Sequence, residues 1–275
     1  GGNPIFLSNG EKSQVETDYV SPSGLLKSIR SYRSTRGTLH GLTGGTLRDS
    51  RILGATSAAC YAGSYEANGI TVPYCYPYIA NGQPDLDLFE ADGRIVHFDV
   101  SSGIATTTPN IVDRATTQAN GQGLVEWVVT KSDDSRETYR ADGVLLSRTQ
   151  RNGQGVTNTL STSATPSGIA PRPGLIIQAA DSFGRAMSFT YDAIGRLVTM
   201  IDPVGQKYSY SYDNASNVTA VTHPGGTTKT YLFNESAYTQ GADLPNALTG
   251  IVDEHGIRVL AEHGPRLLGD AHVGA

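Results

Sequence analysis

The chain has 275 residues with a formal net charge of −5, 17% charged and 38% hydrophobic side chains. That balance excludes a highly charged disordered chain, and it argues against general nucleic-acid binding, which needs a basic surface to neutralise phosphates. No apolar run approaches the ~18 residues of a membrane helix. With 32 Gly, 13 Pro, 14 Tyr and only 2 Met, the composition favours short strands broken by many turns.

In chain order, the first part, 1–151, predicts short strands at Thr17–Val20, Leu25–Tyr32, Ile70–Tyr78, Ile95–Val100 and Leu124–Thr130, with no fixed period. Cys60 and Cys75 flank a Glu66-Ala-Asn-Gly69 turn, so the two arms can fold back on each other. Either a disulfide closes that loop, stabilising by about 3 kcal/mol in an oxidising compartment, or the two are small buried residues. Without paired histidines they make no zinc site, and no metal or other cofactor is expected. Two cassettes, Phe89-Glu-Ala-Asp-Gly-Arg-Ile95 and Tyr139-Arg-Ala-Asp-Gly-Val-Leu145, share an aromatic, an Asp-Gly and an aliphatic at fixed spacing. Asp-Gly between β-type flanks predicts a hairpin.

Residues 152–174 are rich in Gly, Ser, Thr and Pro, and read as a linker or long surface loop. Beyond them, over 175–258, a repeat of 21 residues sets in. Asp181-Ser-Phe-Gly184 leads to Phe189-Thr-Tyr191-Asp192, Asp202-Pro-Val-Gly205 to Tyr210-Ser-Tyr212-Asp213, and His223-Pro-Gly-Gly226 to Tyr231-Leu-Phe233-Asn234. Each unit reads as one hairpin, with a Gly turn, an alternating strand such as Lys207–Tyr212, a second turn such as Ala193-Ile-Gly195-Arg196, and a return strand. A lone hairpin is unstable in water, so the units must pair side by side. Gly184, Gly205 and Gly226, with Tyr191, Tyr212 and Phe233, define the period. Residues 259–275 lack the aromatic and Tyr-Asp of the repeat and read as a degenerate tail.

Tyr191-Asp-Ala-Ile-Gly-Arg-Leu197 resembles the YD repeat of Rhs proteins, related bacterial polymorphic toxins and teneurins, and Tyr212-Asp-Asn-Ala-Ser-Asn-Val218 is a looser copy. The opening, Gly2-Asn-Pro-Ile5, Gly10-Glu-Lys12 and Glu16-Thr-Asp-Tyr19, resembles the segment that opens many Rhs cores. The resemblance implies an all-β fold of stacked antiparallel hairpins, curving as part of a shell around a toxic cargo. It also implies a secreted or cell-surface protein whose partners are other shell segments, a second copy, or the cargo. The pattern fails near the end and no toxin domain follows, which suggests a truncated or frameshifted copy.

Residues that could carry chemistry have plainer readings. Asp202-Pro-Val-Gly205 resembles the core of an Rhs autocleavage motif, but it stands at the turn position that Asp181 occupies one period earlier. Asp133-Asp134 and Asp85/Asp87 are paired carboxylates of the kind a glycosidase uses, and equally short acidic turns. His255, His263 and His272 lack metal-ligand spacing. Tyr61, Tyr65, Tyr74, Tyr76, Tyr78 and Trp127 could form a sugar-binding platform, although such rows more often pack across strands. The expectation is a non-enzymatic structural module, with carbohydrate binding as the alternative and an autoprotease or glycosidase as the weakest reading.

Overall fold

The computed structural model describes residues 5–6, 11–33, 50–54, 60–67, 70–77, 85–90, 95–99, 105–106, 112–121, 125–140 and 143–261. Among them there are twenty-two strands and no helix. In chain order the strands are β1 (Ile5–Phe6), β2 (Glu11–Val20), β3 (Lys27–Arg33), β4 (Ser50–Gly54), β5 (Cys60–Ala67), β6 (Ile70–Pro77), β7 (Asp85–Glu90), β8 (Ile95–Asp99), β9 (Ala105–Thr106), β10 (Arg114–Ala119) and β11 (Val125–Thr130). They continue as β12 (Arg136–Arg140), β13 (Leu145–Thr149), β14 (Gly155–Leu160), β15 (Ile176–Asp181), β16 (Ala186–Tyr191), β17 (Leu197–Ile201), β18 (Lys207–Tyr212), β19 (Val218–Thr222), β20 (Thr228–Phe233), β21 (Leu248–Val252) and β22 (Arg258–Ala261). The expected strands at 17–20, 25–32, 70–78, 95–100 and 124–130 each overlap an observed one, with residues 78, 100 and 124 outside the described residues and Leu25 and Leu26 lying before β3.

The chain divides into two units, one of residues 15–31 and 44–206, the other of residues 1–14, 32–43 and 207–275. In the larger unit an antiparallel ladder runs from β4 to β7, β8, β9 and β10, and then strand by strand to β17. β5 and β6 form a separate hairpin. In the smaller unit β18, β19, β20, β21 and β22 pair in sequence, and β1 pairs with the start of β2. Successive strands pairing as neighbours is what hairpin connections of a few residues enforce, because a short loop cannot reach past an adjacent strand.

Strict alternation decides which face is buried. In β16 the residues Met187, Phe189 and Tyr191 are buried while Ala186, Ser188 and Thr190 are only half-buried. Tyr208 and Tyr210 of β18 alternate with Ser209 in the same way. The larger unit has a core cluster of Leu88, Val96, Phe98, Ala115, Val129, Tyr139 and Leu145, with Trp127 packed against it. In the smaller unit Tyr208, Tyr210, Val218, Val221, Tyr231, Leu248 and Ile251 are buried. Burial of such side chains stabilises by roughly 1.5–3 kcal/mol each, which is what holds a ladder of short hairpins together.

The boundary expected at 152–174 takes a different form. Gly155–Leu160 is strand β14, hydrogen-bonded to both β13 and β15, because Val156, Thr157 and Thr159 suit a strand whatever their Gly-rich flanks suggest. The remainder of the segment is a loop tied to the ladder, with Ile169 O accepting the Tyr191 N–H and the Ser161 hydroxyl donating to Arg172 O. The expected degenerate tail likewise begins as strand β22, paired with β21.

Candidate functional site

One turn recurs through the described chain. Residue i donates its N–H to the carbonyl of i+4, and residue i+3 donates back to the carbonyl of i. This closes hairpin loops at 131–135, 140–144, 150–154, 181–185, 192–196, 202–206, 213–217, 223–227 and 253–257. At every one of these the residue at i+3 has a positive φ, from 62° at Asp134 to 89° at Gly195 and Gly226. This is the three-residue hairpin loop closed by a left-handed bulge residue, and at 223–227 Gly225 is left-handed as well, at φ 88°. Gly184, Gly195, Gly205 and Gly226 hold the place because they lack a Cβ. At Gly195 a Cβ would also stand 3.3 Å from the Arg172 guanidinium.

The aspartate at position i is part of the same device. Its Oδ1 accepts the N–H groups of i+2 and i+4 at Asp181, Asp192, Asp202 and Asp253. Its Oδ2 faces residue i+4, accepting from Arg185 on Asp181, Arg196 on Asp192 and Asn217 on Asp213. Burial pushes the Asp181 and Asp192 carboxyls up, but the hydrogen bonds from Arg185 and Arg196 outweigh it and hold both below the usual carboxylate range. Asp202-Pro-Val-Gly205 is one of these turns, and its carboxylate is engaged with Val204 and Gln206.

The aromatic one residue before the turn is fixed by register. Tyr139 pairs with Leu145, Tyr191 with Leu197, Tyr212 with Val218 and Phe233 with Leu248, each next to a shift in register. Tyr139 and Tyr191 are buried, with Tyr139 donating its phenol to Glu137 at 2.9 Å and Tyr191 to Ile176 O at 2.5 Å. Tyr212 and Phe233 are half-buried. After Phe233 a longer loop, 234–247, replaces the short turn. Its Pro245 O accepts from Asn217, and Tyr32 both donates to Asn246 O and accepts the Leu248 N–H. Glu235 in this loop takes a two-pronged bond from Arg258, which keeps its carboxyl below the usual range.

A second polar cluster was not signalled by the sequence. The Lys131 ammonium bonds Glu90 and lies 3.4 Å from Glu137 and 3.8 Å from Asp113, all four side chains being largely buried. Burial pushes that ammonium down, but the Glu137, Glu90 and Asp113 carboxylates outweigh it and hold it above the usual lysine value. Three acids meeting one lysine come from β7, the residue before β10, and β12, so they are distant in sequence and no local motif marks them.

The other expected residues divide cleanly. Trp127 is half-buried on the core cluster. Asp133 and Asp134 sit in the turn 131–135, where Asp133 accepts the Ser135 N–H. His255 is exposed at the tip of the turn 253–257. The side chains of Cys60, Cys75, Tyr61, Tyr65, Tyr74, Tyr76, Asp85 and Asp87, and all of Tyr78, His263 and His272, lie outside the described residues. No group of three or more His, Cys, Asp or Glu able to hold a metal ion occurs among the described residues.

With the turns and their tyrosines in place, comparison with known families can be read residue by residue. Residues 191–228 match the family model described as RHS Repeat. That stretch begins at Tyr191 and takes in the four consecutive turns 192–196, 202–206, 213–217 and 223–227. The match supports the Rhs/YD-repeat reading of the region that the tyrosines and aspartates define. No curated protein matches the chain.

Proposed function

We propose that the chain is a non-enzymatic structural segment of an Rhs-type protein, a stretch of β-ribbon wall that encloses a polypeptide cargo such as a toxin for delivery outside the cell. The observation that carries this reading is how the repeat uses its reactive side chains. The aspartates at position i hold the backbone N–H groups of their own turns, and buried tyrosines such as Tyr191 point into the ladder. The RHS Repeat match over 191–228 supports a structural Rhs-family role for that same segment. The resemblance of residues 2–19 to the opening of Rhs cores extends the reading toward the N-terminus. A secreted or surface location follows from the same family reading.

Packing of Trp127 against the core cluster, opposite Tyr139 on the next strand, favours a structural role for this ring over a sugar platform. The test is co-expression with the polypeptide encoded immediately downstream, followed by purification and protease challenge. Co-purification, with the partner resisting protease only in the complex, is the expected result. A partner that neither binds nor gains protection overturns the proposal. Self-cleavage of the 29.1 kDa chain between Asp202 and Gly205 would overturn the non-enzymatic part.

A further inference from the structure

The turn 213–217 departs from its neighbours in a way the fold does not require. Its i+3 residue is Ser216 at φ 66°, where seven of the eight other turns have glycine and the eighth has Asp134. A non-glycine residue pays a steric penalty in that region, and a strained residue kept in place points to a use. Ser216 completes Asn214-Ala-Ser216, an Asn-x-Ser acceptor motif for N-linked sugar. The chain has two other motifs of this form, Asn217-Val-Thr219 and Asn234-Glu-Ser236.

The structure separates the three. Asn214 and Ala215 are exposed at the tip of the hairpin. Asn217 is fully buried, and its Nδ2 donates to Asp213 Oδ2 and to Pro245 O, both at 2.9 Å. Asn234 is half-buried, with Nδ2 donating to Asp243 at 2.8 Å and Oδ1 accepting the Leu244 N–H at 2.7 Å. The acceptor atom in sugar transfer is the amide nitrogen. In Asn217 and Asn234 it is committed to holding loop 234–247, and a glycan on Asn217 has no room beside the buried ladder.

We propose that Asn214 is an N-glycosylation site and that Ser216 is kept at its strained position as the hydroxyl of that site. In the transfer, Nδ2 of Asn214 attacks the anomeric carbon of a sugar carried on a lipid pyrophosphate. The carbon–oxygen bond to the pyrophosphate breaks, the lipid pyrophosphate leaves with the electron pair, and the amide loses one proton to a base of the transferase. The proposal stands apart from the wall reading and needs only that the chain meets such a donor.

The full chain, behind a cleavable secretion leader, is produced in a eukaryotic secretory host and in parallel by translation into microsomes, which needs no secretion. Glycopeptide mapping and endoglycosidase treatment read the outcome. One glycan on Asn214 and none on Asn217 or Asn234 is expected. Asn214→Gln abolishes it at an exposed tip. Ser216→Gly also abolishes it while raising the midpoint of urea unfolding, which separates loss of the acceptor from loss of the fold. An unmodified wild-type chain in both systems, or sugar mapped to Asn217 or Asn234, overturns the assignment.

Discussion

Tyr191 and Tyr212 stand at the same strand position and differ in what surrounds them. Tyr191 is 4% exposed and bonds Ile176 O, whereas Tyr212 keeps part of its ring in solvent. Equal tyrosines from the repeat alone would cost about the same on truncation. With the burial known, Tyr191→Ala is expected to lose about 3–5 kcal/mol, and Tyr212→Ala only about 1–2 kcal/mol. Urea midpoints of the two variants side by side check this, and equal losses would mean that the half-buried ring contributes through contacts its exposure does not reveal. Ser216→Gly tests the same turn from the backbone side. Relief of the positive φ outweighs the extra freedom glycine brings to the unfolded chain, so a gain of about 0.5–1 kcal/mol is expected.

At the scale of elements, the Lys131 cluster fastens the end of β7 and the start of β10 to the β11–β12 hairpin. Lys131→Met removes the cation that Glu90, Asp113 and Glu137 share, leaving like charges together in a largely buried site. A loss of about 3 kcal/mol is expected at pH 7, read as a lower urea midpoint and partly recovered in Glu137→Gln/Lys131→Met. A variant as stable as wild type would show the cluster to be solvated and idle. Neither this cluster nor the reach of the turn was legible in the sequence, for different reasons. The cluster joins residues with no common spacing. The turn was legible wherever Gly marked it, so the Asp-Gly cassette at 139–145 and the repeat at 191–197 were both read as hairpins. They are one design, since Tyr139 pairs with Leu145 as Tyr191 pairs with Leu197. Its kinship with the repeat is hidden at 131–135, where Asp134 rather than Gly takes the left-handed position, and at 140–144, where Arg140 stands in place of the aspartate. What the period requires is a backbone conformation, and several residue types meet it. Composition misled in the stretch 152–174 for a related reason: Gly155–Leu160 gains its strand from partners on both sides, which local sequence does not encode.

For the whole molecule the same carboxylates set a dependence on pH. Asp181, Asp192 and Glu235 titrate below their ordinary values in the folded chain, because Arg185, Arg196 and Arg258 and nearby N–H groups favour the ionised forms. Unfolded, they return to about 3.9 for Asp and 4.3 for Glu. A group with a depressed folded pKa binds protons more readily in the unfolded state, so its contribution is fully present above pH ~4–5 and drains away as pH falls through the folded value. Lys131 has the opposite sign. Its folded value is raised, so its contribution is present below the unfolded lysine value of about 10.4 and is lost as pH rises past it. The urea midpoint should therefore hold a plateau from about pH 5 to 9, fall steeply toward pH 3, and fall again above about pH 10. Asp192→Asn should lower the plateau and make the acid limb shallower, because one of the groups that drives it no longer titrates. A midpoint unchanged between pH 7 and pH 3 would mean that the turn carboxylates are ornaments of a ladder held by its aromatic face alone.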